Sequence, residues 1–524
     1  LANHGKLETI IKLWLNKHEN IRREKMPISK KKQLTLLSVL LMIFTSTFAF
    51  DNTSIAYYTM GYAGIIWYIL AALLFFVPST LMFAEFGAAL HEQPGGVFAW
   101  LENSLGLKWA FIGGFIWIAS WVILIVSTVS KIWIMLSTTI SGSDQTGSWR
   151  LGNLTSTQFI GIISILFFAL VTAIATRGLK KVAHLAAIGG IAAAVLTVFF
   201  CLASLVLLAK NGFHLAEPVK LPQTFIKSPR VGYQSTSQMI SFLIFAVYAY
   251  AGIEAIGGVS DQMKNAKKNF PLALGLGALL ISSAYAVIIF LWGASANWQE
   301  VFHRSGVNLG NTTYVLMSNL GYQLGHQFNL TPKATQSLSF FFARFGSLAM
   351  LLSYLGSFFV IVYMPIKSFI LGTPKKLWPK ALPKLNRYNM PANAMWWQAL
   401  IVACLIGLTS FGNKSATAFY NILTLMDNLS STLPYLFLVT AFPFFKANQQ
   451  LSKPFELFHR KSSSWAVVIL VDCLLLLGVG STMYSAVVAQ NYMDLFLELV
   501  GPVLFGIIGY ALYLLYCRRR QNSI

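Results

Sequence analysis

Glu254 sits in AYAGIEAIGG, residues 249–258, between the apolar run SFLIFAVY and a charged loop. Gly252, Gly257 and Gly258 accompany it. Glycine permits a helix to unwind, and carbonyls freed by unwinding, together with a carboxylate, suit a cation or a proton. The bland reading is close helix packing around a quietly paired acid. Against it, an acid in an apolar span costs about 3 kcal/mol on insertion scales, and here it coincides with the glycines. A second interruption, TSTFAFDNTS at 45–54, places hydroxyls, Asp51 and Asn52 inside the first apolar run.

Two polar stripes accompany these breaks. Ser120, Ser127 and Lys131 recur at i, i+7 and i+11 on one helical face. Thr424, Asp427, Asn428 and Ser431 recur at i, i+3, i+4 and i+7 on another. Polar faces on lipid-embedded helices point to a bundle interior or an aqueous cavity. Lys131 is expected to neutralise Asp51 or Asp427, or to meet a substrate carboxylate. Lys367 is expected to snorkel to an interface, and Arg344 either to snorkel or to line a vestibule. Glu498 and Asp472 read as structural, and His184 as interfacial. No P-loop and no clustered Cys/His set is present, so ATP hydrolysis, a bound metal, a cofactor and enzymatic catalysis are not expected.

The elements that must carry these residues are membrane helices. Of the 524 residues, 56% are hydrophobic and 11% charged, against about 25% charged in soluble proteins. Apolar runs long enough to span a bilayer recur throughout. Twelve spans are expected, roughly at 34–61, 63–90, 107–138, 157–176, 185–209, 238–260, 271–294, 338–371, 393–411, 419–443, 464–488 and 495–516. The fold class is an all-α polytopic membrane protein. The net charge of +22 does not form one basic patch. It lies in short loops such as RGLKK (177–181), KNAKK (264–268) and TPKKLWPKALPKLNR (373–387) and in the tail CRRR, all on the side shared by the two termini. This excludes a nucleic-acid partner and predicts cytoplasmic termini in a cell membrane. Cys201, Cys404, Cys473 and Cys517 lie in or beside apolar runs, so no disulfide is expected. Residues 1–25 read as an upstream extension before a natural start at Met26, or else as a basic amphipathic surface helix.

The broken first and sixth spans are the first members of two five-span halves. Five is odd, so the halves insert with opposite orientation, and paired broken helices in an inverted repeat point to a transporter's binding site. The domains follow: an N-terminal segment at 1–33, a first repeat at 34–209, a second at 238–443, peripheral spans at 464–516 and a basic tail at 517–524.

AYAGIEA resembles the sixth-span motif of the APC (amino acid–polyamine–organocation) superfamily. PSTLMFAEFGAALHEQPGGVFAWLENSLG (78–106), with its EQPGGVFAW, resembles the glutamate/γ-aminobutyrate antiporter family, as do GTPKKLWPKALPKLNRYNMP (372–391) and STLPYLFL (431–438). The likeness covers nearly all of 33–517 and is nearest to the YjeM-like branch. It implies a LeuT-type fold of five plus five inverted helices with two peripheral ones, and amino acid antiport by alternating access. It implies a substrate site at Ser46, Thr47, Ala49 and Asp51 of the first span and at Tyr248 and Gly252 of the sixth. Ser120 and Trp121 of the third span and Phe358 of the eighth would line it. Glu254 would couple protons, while Lys131, Asp427 and Glu85 would serve the vestibule or gates. Two departures stand out: FAF (48–50) replaces G-S-G and leaves less room for a carboxylate, and Lys367 replaces an arginine. A long basic C-terminal plug is not seen after the last span. The competing readings are a proton-coupled permease for a neutral or cationic amino acid or small amine, and an amino acid sensor without net flux. The expected partners are an amino acid, possible protons and the bilayer, with a monomer and a homodimer both left open.

Overall fold

The computed structural model describes residues 35–521, apart from 91–95, 178, 255, 257–262, 264, 304–305, 374–376, 380 and 413–414. The expectations for residues 1–33, Gly257 and Gly258, and for the side chains of His184, Lys367 and Glu498, lie outside the described residues. Fifteen helices position the site. They are α1 (Leu36–Thr47), α2 (Phe50–Met60), α3 (Ala63–Ala89), α4 (Val97–Leu105), α5 (Leu107–Ser141), α6 (Ser156–Ala175), α7 (Leu179–Lys210), α8 (Thr236–Tyr248), α9 (Ala266–Ser295) and α10 (Thr312–Gln327). The chain continues through α11 (Pro332–Gly372), α12 (Ala392–Gly412), α13 (Ala416–Ala447), α14 (Lys461–Val488) and α15 (Tyr492–Gln521).

Among the described residues, ten helices are long and apolar enough to cross a membrane. No strand forms among the described residues, where bridge pairing is confined to Leu151 with Leu154 and to Met263. Helices prevail because lipid offers no partner for backbone N–H and C=O groups. Local chemistry sets their ends. Thr155 with Gln158, and Ser235 with Gln238, form reciprocal capping boxes that start α6 and α8. Gly142, in the left-handed conformation, closes α5. The expected first and sixth spans are the two that are interrupted. The first divides into α1 and α2 around residues 48–49. The sixth leaves α-helical geometry after Tyr248.

The core lies around α5 and α13, where 78% and 72% of the most apolar stretch is buried. These are the helices that carry Lys131 and Asp427. Helix α5 packs against α11, α12, α13 and α15, while α9 packs against α1 and α3. The corresponding figures for α14 and α15 are 28% and 22%, so most of the apolar stretch of each is not buried inside the protein. Their outward Leu476, Leu477, Val503 and Ile507 are exposed, as lipid contact requires. Within α3, a wide π turn at Ala72–Phe76 precedes Pro78. It aims Phe76 flat onto Tyr250, 4.5 Å between ring centroids, and Phe75 edge-on at Tyr435, 5.0 Å away.

Glu85, near the end of α3, is fully buried. Lys446 of α13 donates to it at 2.9 Å, and the Leu457 and Phe458 N–H groups donate at 2.6 and 2.9 Å. The same ammonium meets Glu456 at 2.6 Å and holds its carboxyl below the usual range. One side chain therefore ties α3, α13 and the α13–α14 loop together, away from the two helix breaks. Removing one partner of a buried ion pair costs about 3–5 kcal/mol. Lys446→Ala should therefore lower the thermal unfolding temperature in detergent by several degrees. A variant that melts with the unaltered protein would show that the two backbone N–H groups suffice.

Candidate functional site

The two interruptions face each other. A Cβ on Gly252 would lie 2.7 Å from the Ser46 carbonyl oxygen, and Gly252 has φ +107°, a conformation side-chain-bearing residues rarely adopt. Glycine is required here on both counts. Tyr285, from α9, reaches between the breaks. Its hydroxyl accepts from the Ala49 N–H at 3.1 Å and donates to the Ala249 carbonyl at 2.8 Å, with the Thr47 carbonyl 3.3 Å away. Ala49 is extended and has no side-chain cap, so the tyrosine supplies what a capping residue would.

The bulky residues at the first break pack on neighbouring rings. Phe48 stacks on Phe44 and lies against Tyr285, while Phe50 packs on Phe200 and Trp292. Both rings are buried toward α7 and α9. The Thr47 hydroxyl is buried and unpartnered, whereas Ser46 is exposed and its hydroxyl donates to Ile43 O at 3.2 Å.

Beyond the break lies a charged cluster. Asp51 occupies the first turn of α2, where the helix end favours an anion. Tyr354 of α11 donates to its Oδ2 at 2.6 Å, and its Oδ1 is buried without a partner. On α13, Asp427 accepts from Tyr248 at 2.9 Å and from Ser431 at 3.4 Å. Lys131 is 8% exposed. It makes no hydrogen bond and no ion pair within 4 Å among the described residues, and Asp427 and Asp51 are the charges that act on it. Lys131, expected to neutralise Asp51 or Asp427 or to meet a substrate carboxylate, thus acts on the two acids without a close contact to either among the described residues.

Glu254 is buried and held differently. Trp117 donates to Oε1 at 3.3 Å; the Gly252 N–H donates to Oε2 at 3.0 Å, and Tyr435 donates to the same oxygen. Gly252 N–H also reaches the Tyr435 hydroxyl at 3.0 Å. All three partners are donors, the environment that a carboxylate accepts. Glu254 therefore braces the second break against α5 and α13.

The structure brings Thr47, Ala49, Asp51, Tyr248, Gly252, Glu254, Lys131 and Asp427 into one region. Ser120 donates to Trp117 O at 2.7 Å, and Trp121 leaves its indole N–H buried and unpartnered. Phe358 is fully buried, its ring edge-on to Phe167 of α6; Tyr354, one turn earlier, is the residue of α11 that reaches Asp51. Glu85 belongs to the separate cluster with Lys446. Arg344 is exposed. Reading the sequence missed Tyr285, Tyr354, Tyr435 and Trp117. Their only signal was that an aromatic O–H or N–H buried in lipid needs a partner. Among the described residues, no group of three or more His, Cys, Asp and Glu is placed to hold a metal.

Comparison with known proteins adds four findings. Residues 34–505 match the amino acid permease family. The inner membrane transporter YjeM of Escherichia coli (strain K12) is 45% identical over 489 residues, 93% of this chain and 97% of that protein. A glutamate/gamma-aminobutyrate antiporter of Lactococcus lactis subsp. lactis is 22% identical over 468 residues, 87% of this chain and 85% of that one. Among solved structures, the manganese transporter of Eremococcus coleocola superposes with a TM-score of 0.50 at 12% identity, covering 91% of this chain and 95% of that chain. That likeness speaks for the fold alone.

Two substitutions test the meeting of the breaks. Tyr285→Phe leaves a buried N–H and a buried carbonyl unpaired, at about 1–3 kcal/mol each. Gly252→Ala forces a methyl group against the Ser46 carbonyl and strains the backbone. Both should lower the thermal unfolding temperature. A Gly252→Ala protein that melts like the unaltered one would show that the breaks are not in firm contact.

Proposed function

The chain belongs to the amino acid permease family of the APC superfamily, whose members are secondary transporters, and from that premise we propose that it moves an amino acid or a related amine by alternating access. The observation that carries this reading is the pair of helix breaks held face to face by Tyr285 and Gly252, with Asp51, Lys131 and Asp427 beside them. Unwound backbone exposes N–H groups at the start of α2 and carbonyls at the ends of α1 and α8, the groups that hold the charged ends of small molecules. In this reading residues 34–209 and 238–443 are inverted repeats of a twelve-span, LeuT-type bundle. Residues 464–516 are peripheral, and both termini face the cytoplasm. Exchange of one amino compound for another is the mode favoured by the likeness to glutamate/γ-aminobutyrate antiporters. The Glu85–Lys446 cluster would hold one end of the bundle closed.

Proton coupling is the second reading, and the burial of Glu254 at the break favours it. A proton arriving there would remove an acceptor from Trp117, Tyr435 or Gly252 and so loosen the break. The groups facing Glu254 are Trp117 and Tyr435, from α5 and α13.

Counterflow in proteoliposomes tests both readings. Vesicles preloaded with an unlabelled amino acid pool should accumulate trace labelled compound from outside. Glu254→Gln puts an amide N–H₂ among donors, so exchange should fall at least tenfold. Whatever remains should no longer differ between acid and neutral pH. Exchange in Glu254→Gln that keeps the full pH response would remove Glu254 as the proton site.

A further inference from the structure

We infer that the transported molecule is a small organic monocation, an amine or a basic amino acid whose ammonium charge outnumbers its own carboxylate, received at Asp51 Oδ1. The inference rests on the transport reading above.

The argument is one of charge. The charged groups acting on Asp427 are Lys131 and Asp51, and those acting on Lys131 are Asp427 and Asp51. Together these three groups are two carboxylates and one ammonium, an excess of one negative charge. The tyrosines that touch them, Tyr354 and Tyr248, bring donor hydroxyls and no formal charge. The N-terminal turn of α2 offers Asp51 about half a positive charge, less than the excess. The carboxyl-terminal ends of α1 and α8 lie at the same breaks and present the opposite sign.

Burial sharpens the point. A buried charge without a partner is costly, and the set is incomplete in two places. Asp51 Oδ1 is buried and accepts nothing, although its sister oxygen is bonded to Tyr354. Lys131 is more than nine-tenths buried, yet it makes no close ion pair among the described residues. A ligand ammonium at Oδ1 completes Asp51 and cancels the excess, leaving Lys131 balanced by Asp427. A zwitterion satisfies the oxygen and leaves the excess in place. An anion such as glutamate adds to it.

The test is counterflow with purified full-length protein, using vesicles preloaded separately with ethylamine, lysine, leucine, glutamate or a linear diamine. Labelled lysine and labelled leucine are the external probes. Ethylamine and lysine should drive accumulation of labelled lysine at least tenfold better than leucine or glutamate. Asp51→Asn should erase that preference and raise leucine exchange relative to lysine. Lys131→Met deepens the excess to two negative charges and should shift preference from ethylamine toward the diamine. Exchange driven by glutamate or leucine, with lysine and ethylamine inactive, would overturn the inference and leave the transporter intact. A Lys131→Met protein with the unaltered order of preference would overturn it too. Absence of exchange with every compound, in vesicles whose protein still melts cooperatively, would remove the transport reading and this inference with it.

Discussion

Everything in this molecule turns on what happens to backbone polar groups when a helix stops inside lipid. An intact helix satisfies its own N–H and C=O groups, and the bilayer offers nothing to those set free. Here two helices stop at the same place. One phenol, Tyr285, accepts from the second half of the first span and donates to the end of α8. Gly252 lets the second break approach the Ser46 carbonyl, which a side chain would prevent. The remaining amides and carbonyls at the two breaks are the groups that would hold a charged molecule in the proposed function.

The buried acids meet the same constraint in three ways. Glu85 is answered by a full opposite charge and two amides. Glu254 is answered by neutral donors from three different segments. Asp51 is half answered, with one oxygen bonded and one left open. The gradation matches position: complete at the bundle end, complete where the break is braced, and incomplete where a ligand would lie.

Much of this architecture was legible in the chain. Apolar run lengths place the helices because lipid enforces them, and glycines, hydroxyls and acids mark the two breaks because each is costly in a span. The stripes carrying Lys131 and Asp427 do fall on the two most buried helices. What stayed hidden were the long-range partners. Lys446 lies 361 residues from Glu85, and Tyr354 lies 303 from Asp51; no local pattern relates them. Aromatic residues are so frequent in this chain that periodicity alone does not say which ring turns inward. Phe358 was singled out on the family resemblance, and Tyr354, one turn away, was passed over.

The π turn in α3 has a consequence for the register of the chain. An α-helix advances roughly 100° per residue, and a π turn accommodates an extra residue within an otherwise regular helix. The half of α3 before Ala72 and the half after Phe76 are therefore out of phase with a single continuous helix. The first half faces the first turn of α2 through Tyr68, whose hydroxyl donates to Asn52 O at 3.3 Å. The second carries Glu85 to Lys446 at the far end. Were the same residues regular α-helix, those two faces would be turned against each other by about a quarter of a revolution, whereas deleting one residue between 72 and 76 would restore a regular helix with the faces left nearly in place. Irregularity in this stretch is what lets one helix serve two neighbours that a regular helix of the same residues would have to choose between.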